Sequence, residues 1–133
     1  MTLPQQHPIA AWHELLARPN PEQLRDLLAE DAVFHSPIVH TPQAGRDRVM
    51  SYLLAAFAVL NNESFRYVRE VIGPHDAALE FTCELDGIHV NGVDLIRWRD
   101  DGRIIDFKVM LRPLKGVNVV HARMKEMLER TGS

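Results

Sequence analysis

An α+β fold is predicted: a curved, mainly antiparallel sheet wrapped by helices into a cone with a central pocket. Apolar residues recur at helical spacing early in the chain and again at its end. Between them, four successive segments from Phe65 to Pro113 alternate with a period of two. Asp86-Gly87 and Asp101-Gly102 supply tight turn signals between the last of these segments. Helices kept apart from a run of antiparallel strands define the class. The whole of 1–133 is expected to form a single domain.

Pro8 fits a first helical turn, where a missing N–H costs nothing, and Ile9, Trp12, Leu15 and Leu16 follow at helical spacing to Ala17. Asn20-Pro21-Glu22-Gln23 reads as a second start: Asn at the N-cap, Pro at N1, Gln at N3. Leu24, Leu27 and Leu28 form its apolar stripe. A short strand is expected from Ala32 to Ser36, stopped by Pro37. The segment PIVHTPQAG, with two prolines and a glycine, reads as loop. A third helix is expected from about Arg46 to Leu60, with Val49, Leu53, Phe57 and Leu60 on one side.

Phe65 to Ile72 places Phe65, Tyr67, Arg69 and Val71 against Arg66, Val68, Glu70 and Ile72. After the turn Gly73-Pro74-His75-Asp76, the segment Ala77 to Leu85 puts Leu79, Phe81, Cys83 and Leu85 inward. The run GVDLIRWRDDGRIIDFKVMLRP then reads as two long strands. Asp94, Ile96 and Trp98 share one face of the first. Ile105, Phe107, Val109 and Leu111 share the apolar face of the second. Asp106, Lys108, Met110 and Arg112 lie opposite, on a face polar enough to meet water or a partner. A last helix is expected from about Val117 to Arg130, stopped by Gly132.

A net charge of −3 with no basic block argues against nucleic acid as a partner. No stretch approaches a membrane span, so no membrane partner is expected. The opening residues lack a basic region followed by a long apolar run, so no signal peptide is expected. The single cysteine, Cys83, has no internal disulfide partner and reads as a small buried hydrophobe; a cytoplasmic protein is expected.

The element order, with AEDAVFHSP early and GVDLIRWRDDGRIIDF late, resembles the nuclear-transport-factor-2-like superfamily, and within it the SnoaL-like branch. The resemblance spans nearly the whole chain. It implies a cone with a deep apolar pocket and homodimers packed sheet against sheet. Steroid isomerases of this superfamily use a tyrosine on the first helix, an aspartate base before the proline of the first strand, and an acid before the D-G-R-I turn. These positions fall on Trp12, Ser36 and Asp94, and only the last is kept. A serine cannot by itself shuttle a carbon acid's proton at neutral pH, and tryptophan offers only an N–H, which argues against steroid isomerisation. The epoxide hydrolases' Asp–Arg–Asp arrangement is not placed here. The cyclase-like members rely on one acid and a shaped pocket, and the sequence departs least from them.

Asp94 is the principal candidate: an acid on an apolar strand face is paired, kept neutral, or used. The plain alternative is a structural carboxylate held by a nearby His, Arg or hydroxyl. His40 is a candidate pocket-rim donor and Ser36 a candidate for positioning the substrate. His35 should point away from Ser36 by strand alternation. The spacing of His35, His40, His75 and His89 matches no ligand motif, so no metal site is expected. The pocket wall is expected from Trp12, Leu16, Phe34, Phe57, Leu79, Phe81, Trp98, Phe107 and Leu111. The leading expectation is a cofactor-independent isomerase, cyclase, dehydratase or hydrolase acting on a small apolar molecule through Asp94. The alternatives are a non-catalytic ligand-binding protein with the same pocket and a structural dimer module.

Overall fold

A computed structural model describes residues 7–130. These residues form α1 (Pro8–Ala17), α2 (Pro21–Leu27), β1 (Leu28–His35), β2 (Gln43–Ala44), α3 (Arg46–Leu60), β3 (Arg66–Ile72), β4 (Asp76–Leu85), β5 (Ile88–Trp98), β6 (Ile104–Arg112) and α4 (Leu114–Arg130). The predicted stop at Gly132 lies outside the described residues. The strands make one curved, open sheet in the order β2-β1-β6-β5-β4-β3. Each neighbouring pair is antiparallel except β1 with β6, which is parallel. The α+β class therefore stands.

Local chemistry starts the helices. The His7 ring accepts from the Ile9 N–H ahead of α1, with Pro8 in the first turn. Asn20 caps α2 by accepting from the N–H groups of Glu22 at 3.0 Å and Gln23 at 3.2 Å. The helix nevertheless ends at Leu27, one residue short of the expected stripe. Leu28 turns extended (φ −95°, ψ 138°) and opens β1 four residues before the expected Ala32. Long-range pairing overrides helical spacing here: Leu28 lies opposite Ile104, and both are fully buried. The segment read as loop holds β2, whose Gln43 and Ala44 pair with Phe34 and Val33. α4 begins at Leu114, ahead of the expected Val117.

Two bulges reset the expected alternation. In β3 the register slips between Tyr67 and Arg69, so Tyr67 and Glu70 face Phe81 and Leu79, whereas Arg69 and Val71 face Glu80 and Ala78. In β6 a slip opposite Arg97 and Trp98 brings Ile104, rather than Ile105, onto the inner face. Ile104 is fully buried.

The core lies between the sheet's inner face and the helices. Phe34, Phe81, Phe107, Ile96 and Leu79 from the strands meet Ile9, Trp12, Leu53 and Val120 from the helices. Trp12 packs against both Phe57 and Phe107, with ring centroids 5.2 and 4.9 Å away. The opposite sheet face carries Val71, Met110, Lys108 and Arg112, all exposed.

Candidate functional site

Asp94 sits midway along β5, opposite Leu79 of β4 and Val109 of β6. Strand alternation aims it inward with Gly92 and Ile96, and it is only 6% exposed. Gly92 makes room beside it. A Cβ on Gly92 would lie 2.4 Å from Phe81 Cζ and 2.7 Å from Leu111 Cδ2, so only glycine lets those side chains close over the strand.

A buried carboxylate needs a partner, and the partner is Tyr67. Its hydroxyl donates to Asp94 Oδ2 at 2.6 Å. The same hydroxyl accepts from Trp12 Nε1 at 2.8 Å. The three side chains form a short chain, indole to phenol to carboxylate, drawn from α1, β3 and β5. The β3 bulge follows Tyr67, leaving it inward opposite Phe81 and bringing Glu70 opposite Leu79. Below it, the His13 and Glu70 side chains meet at 2.6 Å and join α1 to β3.

Burial pushes the Asp94 carboxyl up to about 7, and the Tyr67 hydrogen bond works against that shift. Burial also drives the Tyr67 phenol well above its ordinary range, reinforced by the neighbouring Asp94 charge. Tyr67 therefore stays a proton donor at any physiological pH. Asp94, balanced near neutrality, can either hold or accept a proton.

Asp94 and Tyr67 line a cavity of about 30 Å³ with Trp12, Leu16, Phe57, Phe65, Phe81 and Phe107. That volume accommodates little more than a water or two. The second Asp94 oxygen has no hydrogen-bond partner among the described residues. A larger chamber of about 270 Å³ lies beneath α4, between it, α3 and β6. It is walled chiefly by apolar side chains, among them Phe34, Leu111, Val120 and Met124. Ala56, Leu60 and Val109 border both spaces and form the partition between them.

The expected site residues are thus divided. Trp12, Leu16, Phe57, Phe81 and Phe107 join Asp94 at the inner cavity. Phe34, Leu111 and Ser36 line the chamber instead. The Ser36 hydroxyl accepts from the N–H groups of Ile38 and Val39 at 3.0 and 3.3 Å, as a turn former. Leu79 and Trp98 are buried but border neither space. His40 is exposed on its loop and borders neither. The structure does not bring it to Asp94. The residue missing from the sequence reading is Tyr67. One signal for it existed: an inward tyrosine needs a partner for its hydroxyl, and Asp94 was an inward acid needing a donor.

A depression of about 910 Å³ lies at the start of α3 among Arg25, Glu30, Arg46, Asp47 and Arg48. It shares no wall with the Asp94 cavity, and its charges partly pair, Arg25 with Asp47 at 2.6 Å. Among the described residues, no group of three or more His, Cys, Asp or Glu side chains is placed to hold a metal ion. No described helix is long and apolar enough to cross a membrane.

The SnoaL-like domain family matches residues 9–107, most of the chain. Among solved structures, the chain is similar to a steroid delta-isomerase from Pseudomonas aeruginosa. The two share 37% identity over 93% of this chain and 90% of the other, with a TM-score of 0.87. An uncharacterized protein with a cystatin-like fold from Silicibacter pomeroyi shares 35% identity, covering 92% of this chain and 85% of its own, with a TM-score of 0.84. An NTF2-like protein of unknown function from Mesorhizobium loti shares the fold alone. It has 22% identity over 80% of this chain and 88% of its own, and a TM-score of 0.67. No curated protein matches. With its sheet, its helices and its inward acid all in place, the chain belongs to the SnoaL-like domain family of the NTF2-like superfamily.

Proposed function

We propose that this protein performs cofactor-independent acid/base chemistry on a small apolar molecule, in an isomerase, cyclase, dehydratase or hydrolase reaction. Asp94 takes a proton from the substrate, or from the attacking water in a hydrolysis, and delivers it to the atom that gains it in the product or to the leaving group. Tyr67, oriented by Trp12, tunes and steadies the Asp94 carboxylate through its hydrogen bond. One observation carries the reading: a buried acid balanced near neutrality lines a cavity and keeps one oxygen without a partner among the described residues. The similarity to a steroid delta-isomerase supports proton transfer as the reaction class. Ser36 stands where that chemistry needs a carboxylate base, and its hydroxyl is held in a turn, which favours a substrate other than a steroid.

A second reading, ligand binding without turnover, is favoured by the inner cavity's lining. Among the described residues it holds no carboxylate besides Asp94 and no imidazole. A thermal-shift screen against lipophilic carbonyl, epoxide and polyketide-like compounds, followed by turnover assays of each hit with the native protein and Asp94→Asn, separates the two. Turnover lost in the variant supports catalysis. Binding without turnover in the native protein supports carriage. Compounds that bind with no dependence on Asp94 would remove both roles from this residue.

A homodimer through the uncovered sheet face belongs to the same proposal, with a cytoplasmic location. Val71 and Met110 lie exposed there at 62% and 48% amid charged neighbours, and α1, α3 and α4 pack on the other side of the sheet. A stable pair should bury on the order of 1,000 Å² or more in total. Light scattering that gave only monomer at micromolar concentration would reject it.

A further inference from the structure

β3 is an edge of the sheet and pairs with β4 alone. From Arg66 to Ile72 every residue but Tyr67 is exposed. No buried stripe fixes the register of such a strand, so it is weakly specified on its own. It also carries a bulge. Tyr67 pairs with Phe81 and Arg69 with Glu80, so Val68 is left over and stands 55% exposed. The position of that extra residue decides whether Tyr67 faces Asp94, because a slip of one residue turns each side chain to the other face.

Two side-chain hydrogen bonds from α1 straddle the bulge. Before it, Trp12 Nε1 donates to the Tyr67 hydroxyl at 2.8 Å. After it, His13 Nε2 and Glu70 Oε1 meet at 2.6 Å. Neighbouring residues of a helix project about 100° apart, so the two bonds together fix the rotation of α1 against the strand. The His13 ring also lies across the Tyr67 ring, with centroids 5.5 Å apart and planes at 73°. Arg69 reaches Glu80 at 3.2 Å, but its side chain is 76% exposed and that pair holds the strand only weakly. Burial does most to raise the Tyr67 phenol, and the Glu70 charge adds the least. The influence of Glu70 on Tyr67 is therefore chiefly one of position.

We propose that His13 and Glu70 are positioning residues: bonded to each other across the seam between α1 and β3, they pin the bulge behind Tyr67 and so keep its hydroxyl on Asp94. Neither side chain lines the Asp94 cavity. The inference rests on the acid/base reading only for its effect on turnover; the hold on Tyr67 stands or falls without it.

The test is NMR of the full chain, labelled with nitrogen-15 in its two tryptophan indoles and carbon-13 in its aspartate carboxyls. Two signals report on Tyr67 without any ligand: the Trp12 indole N–H, and the titration of Asp94, identified by its loss in Asp94→Asn and centred at about 7 in the native protein. Tyr67→Phe gives the full effect of losing the hydroxyl, a displaced Trp12 signal and an upward Asp94 midpoint. His13→Ala and Glu70→Ala should each move both signals in that same direction, by roughly half a pH unit or more at Asp94. The Trp98 indole should stay in place. His13→Gln puts an amide nitrogen where Nε2 stood and should restore both signals. Either alanine variant decides alone if the other does not fold. Native signals in the folded alanine variants, whatever their loss of stability, overturn the proposal. So do Asp94 midpoints that move up in His13→Ala and down in Glu70→Ala, which would show the pair acting through charge. His13→Gln behaving as His13→Ala overturns the bond as the cause. If the alanine variants move both signals while Asp94→Asn leaves turnover unchanged, the positioning stands and the acid/base reading falls. If Asp94 governs turnover while the signals stay native, the reverse holds.

Discussion

The inner cavity and the chamber beneath α4 are neighbours separated by the same three side chains, yet they are built on opposite plans. The cavity is nearly full and ends on a hydrogen-bonded carboxylate. The chamber is about nine times larger by volume and has no buried acid on its wall. Reactivity and room are therefore held in different places. A buried acid gains its elevated pKa from tight, dry packing, and packing of that kind leaves room beside the acid for only a small group. Space is found where the layers diverge, under a helix outside the family match.

The largest effect that sharpens this contrast concerns Asp94 itself. Its carboxyl is raised to about 7 in the fold, against roughly 3.9 in an unfolded chain. Between those values the folded state binds the extra proton, so stability falls as pH rises from about 4 to about 7 and then levels off. The change is up to ~4 kcal/mol. Asp94→Asn removes it, and urea unfolding at intervals from pH 4 to 8 should show the variant gaining on the native protein across that window. Equal pH dependence in both proteins would mean Asp94 is not held near neutrality. Where a substrate is found, the same variant should lose about 10²–10⁴-fold in turnover.

Gly92→Ala comes next. The added methyl collides with Phe81 and Leu111, which wall the cavity and the chamber respectively, so both spaces are disturbed at once. A loss of about 1–3 kcal/mol is expected from overpacking, read by chemical denaturation. No loss would show that the rings do not close over the strand as described. Tyr67→Phe acts on the cavity alone. Asp94 loses its donor and Trp12 its acceptor, at a cost of about 1–3 kcal/mol. Because the hydrogen bond lowers the Asp94 pKa, the midpoint of the pH-stability curve should move upward. A downward shift would contradict the geometry. The smallest effect is expected from Arg123→Ala, which touches only the chamber side. Its ion pair with Asp86 is half-exposed, so the melting temperature should hardly move. Hydrogen exchange along α4 should quicken while that of β5 stays unchanged.

Much of this arrangement was legible from residue order. Asn20 capped its helix as read, Asp86-Gly87 and Asp101-Gly102 turned the chain, and alternation put Asp94, Phe81 and Phe107 on the inner face. The misreadings share one cause. Leu28 left its helix, Ile104 displaced Ile105, and β2 formed within a proline-bearing loop because of partners distant in the chain. The role of Tyr67 is hidden from local sequence for the same reason: its bonds reach 27 residues forward to Asp94 and 55 back to Trp12. Local periodicity reports which face a residue occupies, but not which polar groups meet across the space between elements.

The parallel pairing of β1 with β6 has a kinetic consequence. His35 lies beside Lys108, so the sheet's first long strand finds its neighbour only when the last has been made. The β3-to-β6 meander can zip through short turns, whereas β1 must close a loop of most of the molecule, with a large entropic barrier. Folding should therefore nucleate in the meander, with high φ-values near Phe81 and Ile96 and low ones at Leu28 and Phe34. On a ribosome, the segment that carries Trp12 emerges first and docks late. The indole-to-phenol bond above Asp94 is then among the last contacts made, and the acid stays wet until the chain is nearly finished.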